Sequence, residues 1–169
     1  MIASARLATG SDLEAVLALY RGLEQEMEAL HPMWPRMDGL SEPVDEALTA
    51  AVADVDTVLV VGEIDGVPLG FLLATVQRSL PQAGLEPVGS IDLVYTDPEA
   101  REVGVAEAMR DLVMETLRRA GLSKFDARVL PGHRLAKNFF EAGGFSARSI
   151  IMHHDDHPTA RPARDPRRF

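Results

Sequence analysis

One short run of residues has the chemical character of a phosphate-binding loop. Residues 97–106 lead from a strand-like segment directly into an amphipathic helix, and Gly104 and Ala106 near its start are small. The first four N–H groups of a helix lack internal acceptors, and the helix dipole places partial positive charge there. Gly104 lets the backbone approach a phosphate, and Arg101 can add a charge-assisted hydrogen bond or brace the loop. The spacing predicts an anion site, although alone it fits a plain helix start equally well.

Two ionisable side chains near this loop could move a proton. Asp92 alternates with Val94 and Thr96 in a strand-like segment. A carboxylate in this position could assist the loss of a proton from an amine, or it could pair with a surface cation. His133 stands at the start of a later helix, where it is either a group of the site or a surface histidine.

Strands and amphipathic helices that follow one another along the chain must position these groups. Ser11 and Glu14 have capping-box spacing at the start of the first helix, and Asp65-Gly66 suits a type I′ hairpin turn. The patterns predict strands over residues 2–9, 57–64, 68–77, 90–96, 124–130 and 145–153. They predict helices over about residues 11–30, 43–53, 104–120 and 133–142. The predicted order is β-α-α-β-β-β-α-β-α-β.

Length and composition indicate one folded domain. The chain has 169 residues, of which 46% are hydrophobic and 25% charged. We expect the domain to span residues 1–153 and residues 154–169, rich in Pro, Arg, Asp and His, to form a flexible surface tail. Because the chain has no cysteine, disulfides, thiolate zinc sites and a cysteine nucleophile are excluded.

Charge and hydropathy narrow the set of partners. A net charge of -9 disfavours broad nucleic-acid binding and would attract a cationic amine. No apolar run approaches the roughly 20 residues that cross a bilayer, and the first residues do not form a leader, so cytoplasmic residence without membrane contact is expected. The histidines and aspartates of residues 153–157 are metal-ligand types, but they stand at a strand end and in the tail, and no metal is expected.

Two segments together resemble the signatures of the GCN5-related N-acetyltransferases, the GNAT family. The run VYTDPEAREVGVA at residues 94–106 resembles the acetyl-CoA loop, whose pattern is Arg/Gln-x-x-Gly-x-Gly/Ala after a strand. The run AKNFFEAGGF at residues 136–145 resembles the second signature, Ala-x-x-Phe-Tyr-Glu-x-x-Gly-Phe. The resemblance covers about residues 2–153. It implies an α/β (α+β) fold with a mixed, mostly antiparallel sheet flanked by helices.

The resemblance also implies an activity and a site. The enzyme would move an acetyl group from acetyl-CoA to a primary amine by direct attack in a ternary complex, with Asp92 where some members carry a glutamate proposed as base. Backbone groups of residues 94–96 would pair with the pantetheine arm, and Trp34 would line the acceptor pocket or only pack. The implied cofactor-binding residues are Val94, Tyr95, Thr96, Arg101, Glu102, Val103, Gly104, Val105, Ala106, Glu107, His133, Asn138 and Phe140.

Three departures from the family pattern leave alternatives open. Glu102 replaces a glycine, which places a carboxylate near the phosphates unless its side chain points to solvent. Phe140 replaces the tyrosine that often protonates the CoA thiolate, and a phenyl ring cannot donate a proton. His133 replaces an asparagine. A non-catalytic acyl-CoA-binding module is therefore the alternative, and a longer acyl donor or an alcohol acceptor is a second one. The expected partner is a small-molecule or peptide amine, and a homodimer is compatible with the sequence.

Overall fold

A five-stranded sheet in the order β1-β2-β3-β4-β5 forms the centre of the molecule. The computed structural model describes residues 2–157, so most of the predicted tail, residues 158–169, lies outside them. The strands are β1 (Ala3–Leu7), β2 (Thr57–Ile64), β3 (Val67–Arg78), β4 (Pro87–Thr96) and β5 (Phe125–Ala127). The helices are α1 (Leu13–Leu30), α2 (Trp34–Met37), α3 (Val44–Ala53), α4 (Val105–Arg119) and α5 (Arg134–Ala142). The mixed fold is confirmed.

The pairing within the sheet is antiparallel except at one seam. Strands β1 to β4 pair in sequence as antiparallel neighbours, and the β2–β3 turn has positive φ at Asp65 (50°) and Gly66 (81°), as a type I′ turn requires. Strand β5 pairs with β4 in parallel, over only the three pairs Gly89–Phe125, Ser90–Asp126 and Ile91–Ala127. Beyond Ile91, β4 has no neighbour on that side within residues 2–157.

Helices cover both faces of the sheet with apolar stripes of helical period. On α1 the buried residues are Val16, Tyr20, Leu23 and Met27, and on α4 they are Val105, Met109, Val113 and Leu117. Helix α1 packs with α3 on one face, and α4 packs with Phe140 of α5 on the other. Helices at both predicted positions are confirmed. No helix of the described chain is long and apolar enough to cross a membrane.

Helix α1 begins differently from the prediction. A short 3₁₀ turn over Gly10–Asp12 precedes Leu13, and the cap is formed by Thr9 and Asp12 rather than by Ser11 and Glu14. The Thr9 N–H donates to Asp12 Oδ2 (2.8 Å), and both terminal nitrogens of Arg6 donate to the two Asp12 oxygens at 2.8 Å. Asp12 forms the cap because its carboxylate also accepts hydrogen bonds from the Arg6 guanidinium. The Arg6–Asp12 pair thereby joins β1 to the start of α1.

The predicted last strand, residues 145–153, is wrong, and β5 is shorter than the predicted residues 124–130. The structure assigns no strand after Ala127 in the described chain. No backbone group of residues 146–153 forms a hydrogen bond with another described residue. The local pattern is typical of a strand, but a strand also needs a partner, and pairing is not a local property.

The Arg6–Asp12 pair generates a stability prediction. Arg6 holds the pKa of Asp12 well below its ordinary value of 3.8, so its stabilisation is present above about pH 4 and is lost as the pH falls toward the folded-state pKa. At pH 7, Asp12→Asn should lower the free energy of unfolding by about 1.5–3 kcal/mol, because the buried Asp12 carboxylate loses its charge-assisted hydrogen bonds with the more exposed Arg6. Urea titrations should show that the difference in free energy of unfolding between the native protein and Asp12→Asn becomes smaller below pH 4. The exposed Glu115→Gln is the control, and an equal loss there would contradict a specific role for Asp12.

Candidate active site

The start of α4 is a backbone surface that suits an anion. Gly104 is the N-cap residue in a left-handed conformation (φ 93°), and no side chain caps this helix. Within residues 2–157 no acceptor receives the N–H groups of Val105, Ala106 or Glu107. A Cβ at position 104 would meet only Ala3 Cβ, at 3.8 Å. Three free amides at the positive end of a four-turn helix fit a pyrophosphate, so the predicted loop has the required chemistry.

Beside this helix start, the last part of β4 offers backbone groups to the open side of the sheet. The pairing between β3 and β4 shifts by one residue at Asp92, since Leu73 faces Leu93 and Ala74 faces Ile91. Before the shift, the Ile91 carbonyl accepts a hydrogen bond from the backbone N–H of Arg128, on the β5 side of the strand. After the shift, the Asp97 N–H donates to the Leu69 carbonyl, on the β3 side. Because backbone groups alternate along a strand, those of Val94 and Thr96 face the open side.

Arg101 braces the loop between β4 and α4. Its Nε donates to the Thr96 carbonyl (3.0 Å), its Nη2 donates to Glu26 Oε2 on α1 (2.5 Å), and its guanidinium lies 5.6 Å from the centroid of the Tyr95 ring. Next to it, Glu102 and Val103 are exposed, and Glu102 has a positive φ of 65°. Arg101 is therefore directed toward protein groups, and the Glu102 side chain lies at the surface.

Glu26 joins the loop after β4 to the start of α5 and was not predicted. Its Oε2 accepts from Arg101, and its Oε1 lies 3.2 Å from Nε2 of His133 at the start of α5. Burial lowers the pKa of His133, and the Glu26 carboxylate opposes this effect. Glu26 stands 75 residues before Arg101, so no local pattern could pair them. The nearest sequence signal is Gly22 one turn earlier, where a Cβ would lie 2.6 Å from the Tyr95 hydroxyl.

Asp92 lies in the wall of a cavity on the α1 face of the sheet. The cavity measures about 290 Å³ and is lined by Met37, Asp38, Gly39, Leu40, Leu73, Thr75, Asp92, Leu93 and Arg128. Asp92 accepts from Ser90 Oγ (2.6 Å), Thr75 Oγ1 (2.6 Å) and Arg128 Nε (3.1 Å). These donors fix the carboxylate in one orientation beside the open side of β4. The Leu40 N–H donates to the Tyr20 hydroxyl (2.8 Å), which positions the opposite wall.

Three of the predicted site residues do not line the Asp92 cavity: Trp34, Phe140 and Asn138. Trp34 is 6% exposed and packs against Tyr20 in the core, so it supports the cavity wall at Gly39 from behind. Phe140 is 3% exposed and packs between Phe139 and Phe145, with ring centroids 4.9 and 5.3 Å away. Both side chains pack within the protein, and contact of either one with a ligand stays a prediction. Asn138 is exposed on α5, and no hydrogen bond to another described residue involves its side chain.

The sequence matches one family over most of its length. Residues 14–145 match the acetyltransferase (GNAT) family. The chain belongs to this family. It is accordingly an acyltransferase, and the family uses acetyl-CoA. No protein with a curated description is similar to this chain in sequence at a significant level.

Solved structures share the fold at low sequence identity. A protein from Bacillus halodurans, solved as a tetramutant, superposes with a TM-score of 0.75 at 17% identity, over 92% of this chain and 99% of that one. AAC(6')-Iy, bound to the bisubstrate analogue CoA-S-monomethyl-acetylneamine, superposes with a TM-score of 0.70 at 18% sequence identity. The match covers 94% of this chain and 100% of that one. A ribosomal-protein-alanine N-acetyltransferase from Brucella melitensis superposes with a TM-score of 0.67 at 17% sequence identity. The match covers 91% of this chain and 100% of that one.

The contacts of Glu26 generate a binding prediction. Glu26→Gln should raise the dissociation constant for acetyl-CoA about tenfold, because an unbraced loop must be ordered at the expense of binding energy. The measurement is calorimetric titration with acetyl-CoA, and Glu28→Gln is the matched control, since Glu28 is exposed on the same helix.

The opposite result would identify a different role for the arginine. If Arg101 were mainly a phosphate ligand that Glu26 restrains, Glu26→Gln would free its guanidinium and tighten binding. An unchanged or lower dissociation constant for Glu26→Gln, with Glu28→Gln unchanged, would therefore contradict the bracing role.

Proposed function

We propose that this enzyme transfers an acetyl group from acetyl-CoA to a primary amine by direct attack in a ternary complex. The observation that carries the proposal is the continuity of three features along β4. The uncapped start of α4 suits the pyrophosphate, and the Asp92 cavity lies at the bulge. Between them, the open-facing backbone groups of Val94 and the Thr96 N–H suit the pantetheine amides. A donor and an acceptor can thus meet in one site.

The residues of β4 would handle the charge and the proton. Bound acetyl-CoA supplies the acyl group as a thioester. The Val94 N–H faces the open side and can stabilise negative charge that develops on an acyl oxygen. Asp92, held by Thr75, Ser90 and Arg128, is the group that takes the proton from the amine, directly or through one water. Both roles need a fixed geometry, and the bulge and the three donors provide it.

An amine that carries positive charge in solution is the proposed acceptor class. The cavity contains the carboxylates of Asp38 and Asp92 against the single cation Arg128, and the whole chain has a net charge of -9. The analogue bound by AAC(6')-Iy contains acetylneamine, and the Brucella protein acts on an alanine of a ribosomal protein. A small-molecule amine and a peptide N-terminus are therefore the two acceptor types to compare.

One observation favours the alternative of a non-catalytic acyl-CoA-binding module. The signature tyrosine is replaced by Phe140, which is buried in the core, and neither Tyr20 nor Tyr95 occupies its position. The CoA thiolate is, however, a tolerable leaving group, and water or the departing ammonium can protonate it. The alternative would hold if acetyl-CoA bound without turnover.

Turnover with a panel of amines tests the proposal directly. We expect free CoA thiol to be released in the presence of acetyl-CoA and at least one amine from sets of aminosugars, polyamines, amino acids and peptides. Mass spectrometry of the product should show one added acetyl group on nitrogen. Binding of acetyl-CoA without thiol release across the panel would support the non-catalytic module, and a product acylated on oxygen would support the alcohol acceptor.

The role of Asp92 generates a pH-dependent prediction. Asp92→Asn should lower kcat/KM for the amine about 100-fold at pH 7, because the proton of the attacking amine loses its acceptor. The deficit should shrink as the pH rises toward the pKa of the amine, where more of it is already neutral. Asp38→Asn is the matched comparison, since it removes the same charge from the same cavity and should mainly raise KM. Equal losses of kcat/KM and parallel pH profiles for both variants would contradict a role in proton transfer. Asp92 would then only attract the cationic amine.

A further inference from the structure

Most of the hydrogen-bonding groups of Arg128, in the wall of the Asp92 cavity, are unused. Its backbone N–H donates to the Ile91 carbonyl (3.0 Å) directly after β5 ends at Ala127, which fixes the base of the side chain. Its Nε donates to Asp92 Oδ1 (3.1 Å), and the side chain is 55% exposed. Within residues 2–157 its two terminal nitrogens form no hydrogen bond. A guanidinium donates through all three nitrogens, so those two are available to a ligand.

Asp92 has one acceptor position left beside this guanidinium. A carboxylate offers about four lone pairs, two on each oxygen. Oδ1 accepts from Ser90 Oγ and Arg128 Nε, and Oδ2 accepts from Thr75 Oγ1. Among the described residues, one lone pair of Oδ2 is therefore unfilled. An amine that donates to it lies next to Arg128, because both bind the same carboxylate.

The charges of the cavity wall match a ligand that carries both signs. Asp38 and Asp92 are its carboxylates, Arg128 is its cation, and the Asp38 side chain accepts no hydrogen bond from the described part of the chain. An acceptor with one positive charge and no anion would leave the terminal nitrogens of Arg128 facing an organic group instead of water. An acceptor with several positive charges would place like charge beside Arg128. An ammonium with a neighbouring carboxylate avoids both penalties.

The size and the apolar part of the wall limit the rest of the ligand. The volume of about 290 Å³ is at the lower end of ligand cavities, which favours a small molecule. Leu40, Leu73 and Leu93 contribute apolar surface to the wall and suit an apolar side chain. The N-terminal residue of a peptide has an amide in place of its carboxylate and would leave Arg128 without an anion.

We propose that the acceptor is a small α-amino acid with an apolar side chain, bound through its carboxylate by the terminal nitrogens of Arg128 and through its amine by Asp92. A planar guanidinium binds a carboxylate with two parallel hydrogen bonds. The amine and the carboxylate of an α-amino acid stand on one carbon, so they can reach the adjacent Arg128 and Asp92 together. The inference rests on the proposed transfer reaction, because it concerns the same cavity.

The reaction with such an acceptor balances without a further reactant. The amine nitrogen, in its neutral form, bonds to the acetyl carbon as the carbon–sulfur bond breaks and its electron pair moves to sulfur. The proton lost from nitrogen passes through Asp92 to solvent, and the CoA thiolate takes a proton from water. The products are an N-acetyl amino acid and CoA.

Equilibrium binding tests the role of the carboxylate without turnover. Calorimetric titrations at pH 7, on the full chain saturated with CoA, would use glycine, alanine, valine, leucine and methionine, and the carboxamide of each. A carboxamide keeps the amine and the side chain but has no negative charge. We expect at least one amino acid to bind about tenfold or more tightly than its own carboxamide, because only the carboxylate forms charge-assisted hydrogen bonds with Arg128.

Variants of Arg128 separate ligand recognition from support of Asp92. Arg128→Gln should raise the dissociation constant of that amino acid about tenfold and leave that of its carboxamide within about twofold. Loss of support for Asp92 alone would weaken both ligands alike, since both carry the amine. Arg148→Gln is the matched control and should change neither constant, because Arg148 is 72% exposed and pairs with Asp126 outside the cavity wall.

A conservative variant keeps the test decisive if Arg128→Gln does not fold. Arg128→Lys retains the charge but not the planar fork, so the preference for the amino acid should fall about threefold. Carboxamides that bind as tightly as their amino acids, no binding of any amino acid, or an equal loss for both ligands in the Arg128 variants would overturn the inference. Thiol release with another amine would then leave the transfer reaction intact. Arg128-dependent binding without thiol release would instead retain this site and remove the reaction.

Discussion

Strands β4 and β5 are parallel neighbours for three residue pairs only, and the remaining features of the site depend on their separation. A central strand normally satisfies its backbone groups on both sides. Here β4 extends to Thr96 with a neighbour on one side, which leaves polar groups available at the centre of the molecule. The one-residue bulge at Asp92 then decides which of these groups face the opening. An extended ligand with its own amides is the natural complement of such an edge.

The site also requires a fixed conformation of the loop after β4, although few side chains of this loop are buried. Glu102 and Val103 are exposed, and Arg101 is the side chain that links this loop to another element. Through Glu26, the same link reaches His133 at the start of α5, so the loop after β4 and the start of α5 both contact α1. The helix on the opposite face from α4 thereby controls the geometry of the helix start that would receive phosphate.

The sequence predicted those features that depend on neighbours along the chain. The four predicted helices, the Asp65-Gly66 turn and the order of the strands up to β5 are confirmed, because periodicity and turn chemistry are local. The short helix α2 was not predicted. The cap of α1 was misplaced, since Asp12 is fixed by Arg6 in another strand. The final strand was wrong, since strand formation needs a partner that periodicity does not reveal. Glu26 was missed because one glutamate among several on α1 has no local signature, and the burial of Trp34 and Phe140 was not predicted because burial depends on packing.

The bulge at Asp92 also bears on how this protein can vary. Where a ligand is held by main-chain groups, most side chains nearby can be exchanged, but the number of residues cannot. Losing or gaining one residue between the bulge and Thr96 would turn every second amide toward the wrong neighbour, whichever amino acids were present. Divergence in this part of the chain should therefore proceed by substitution and not by changes in length. Such a rule is compatible with a shared backbone at 17–18% identity to the solved relatives.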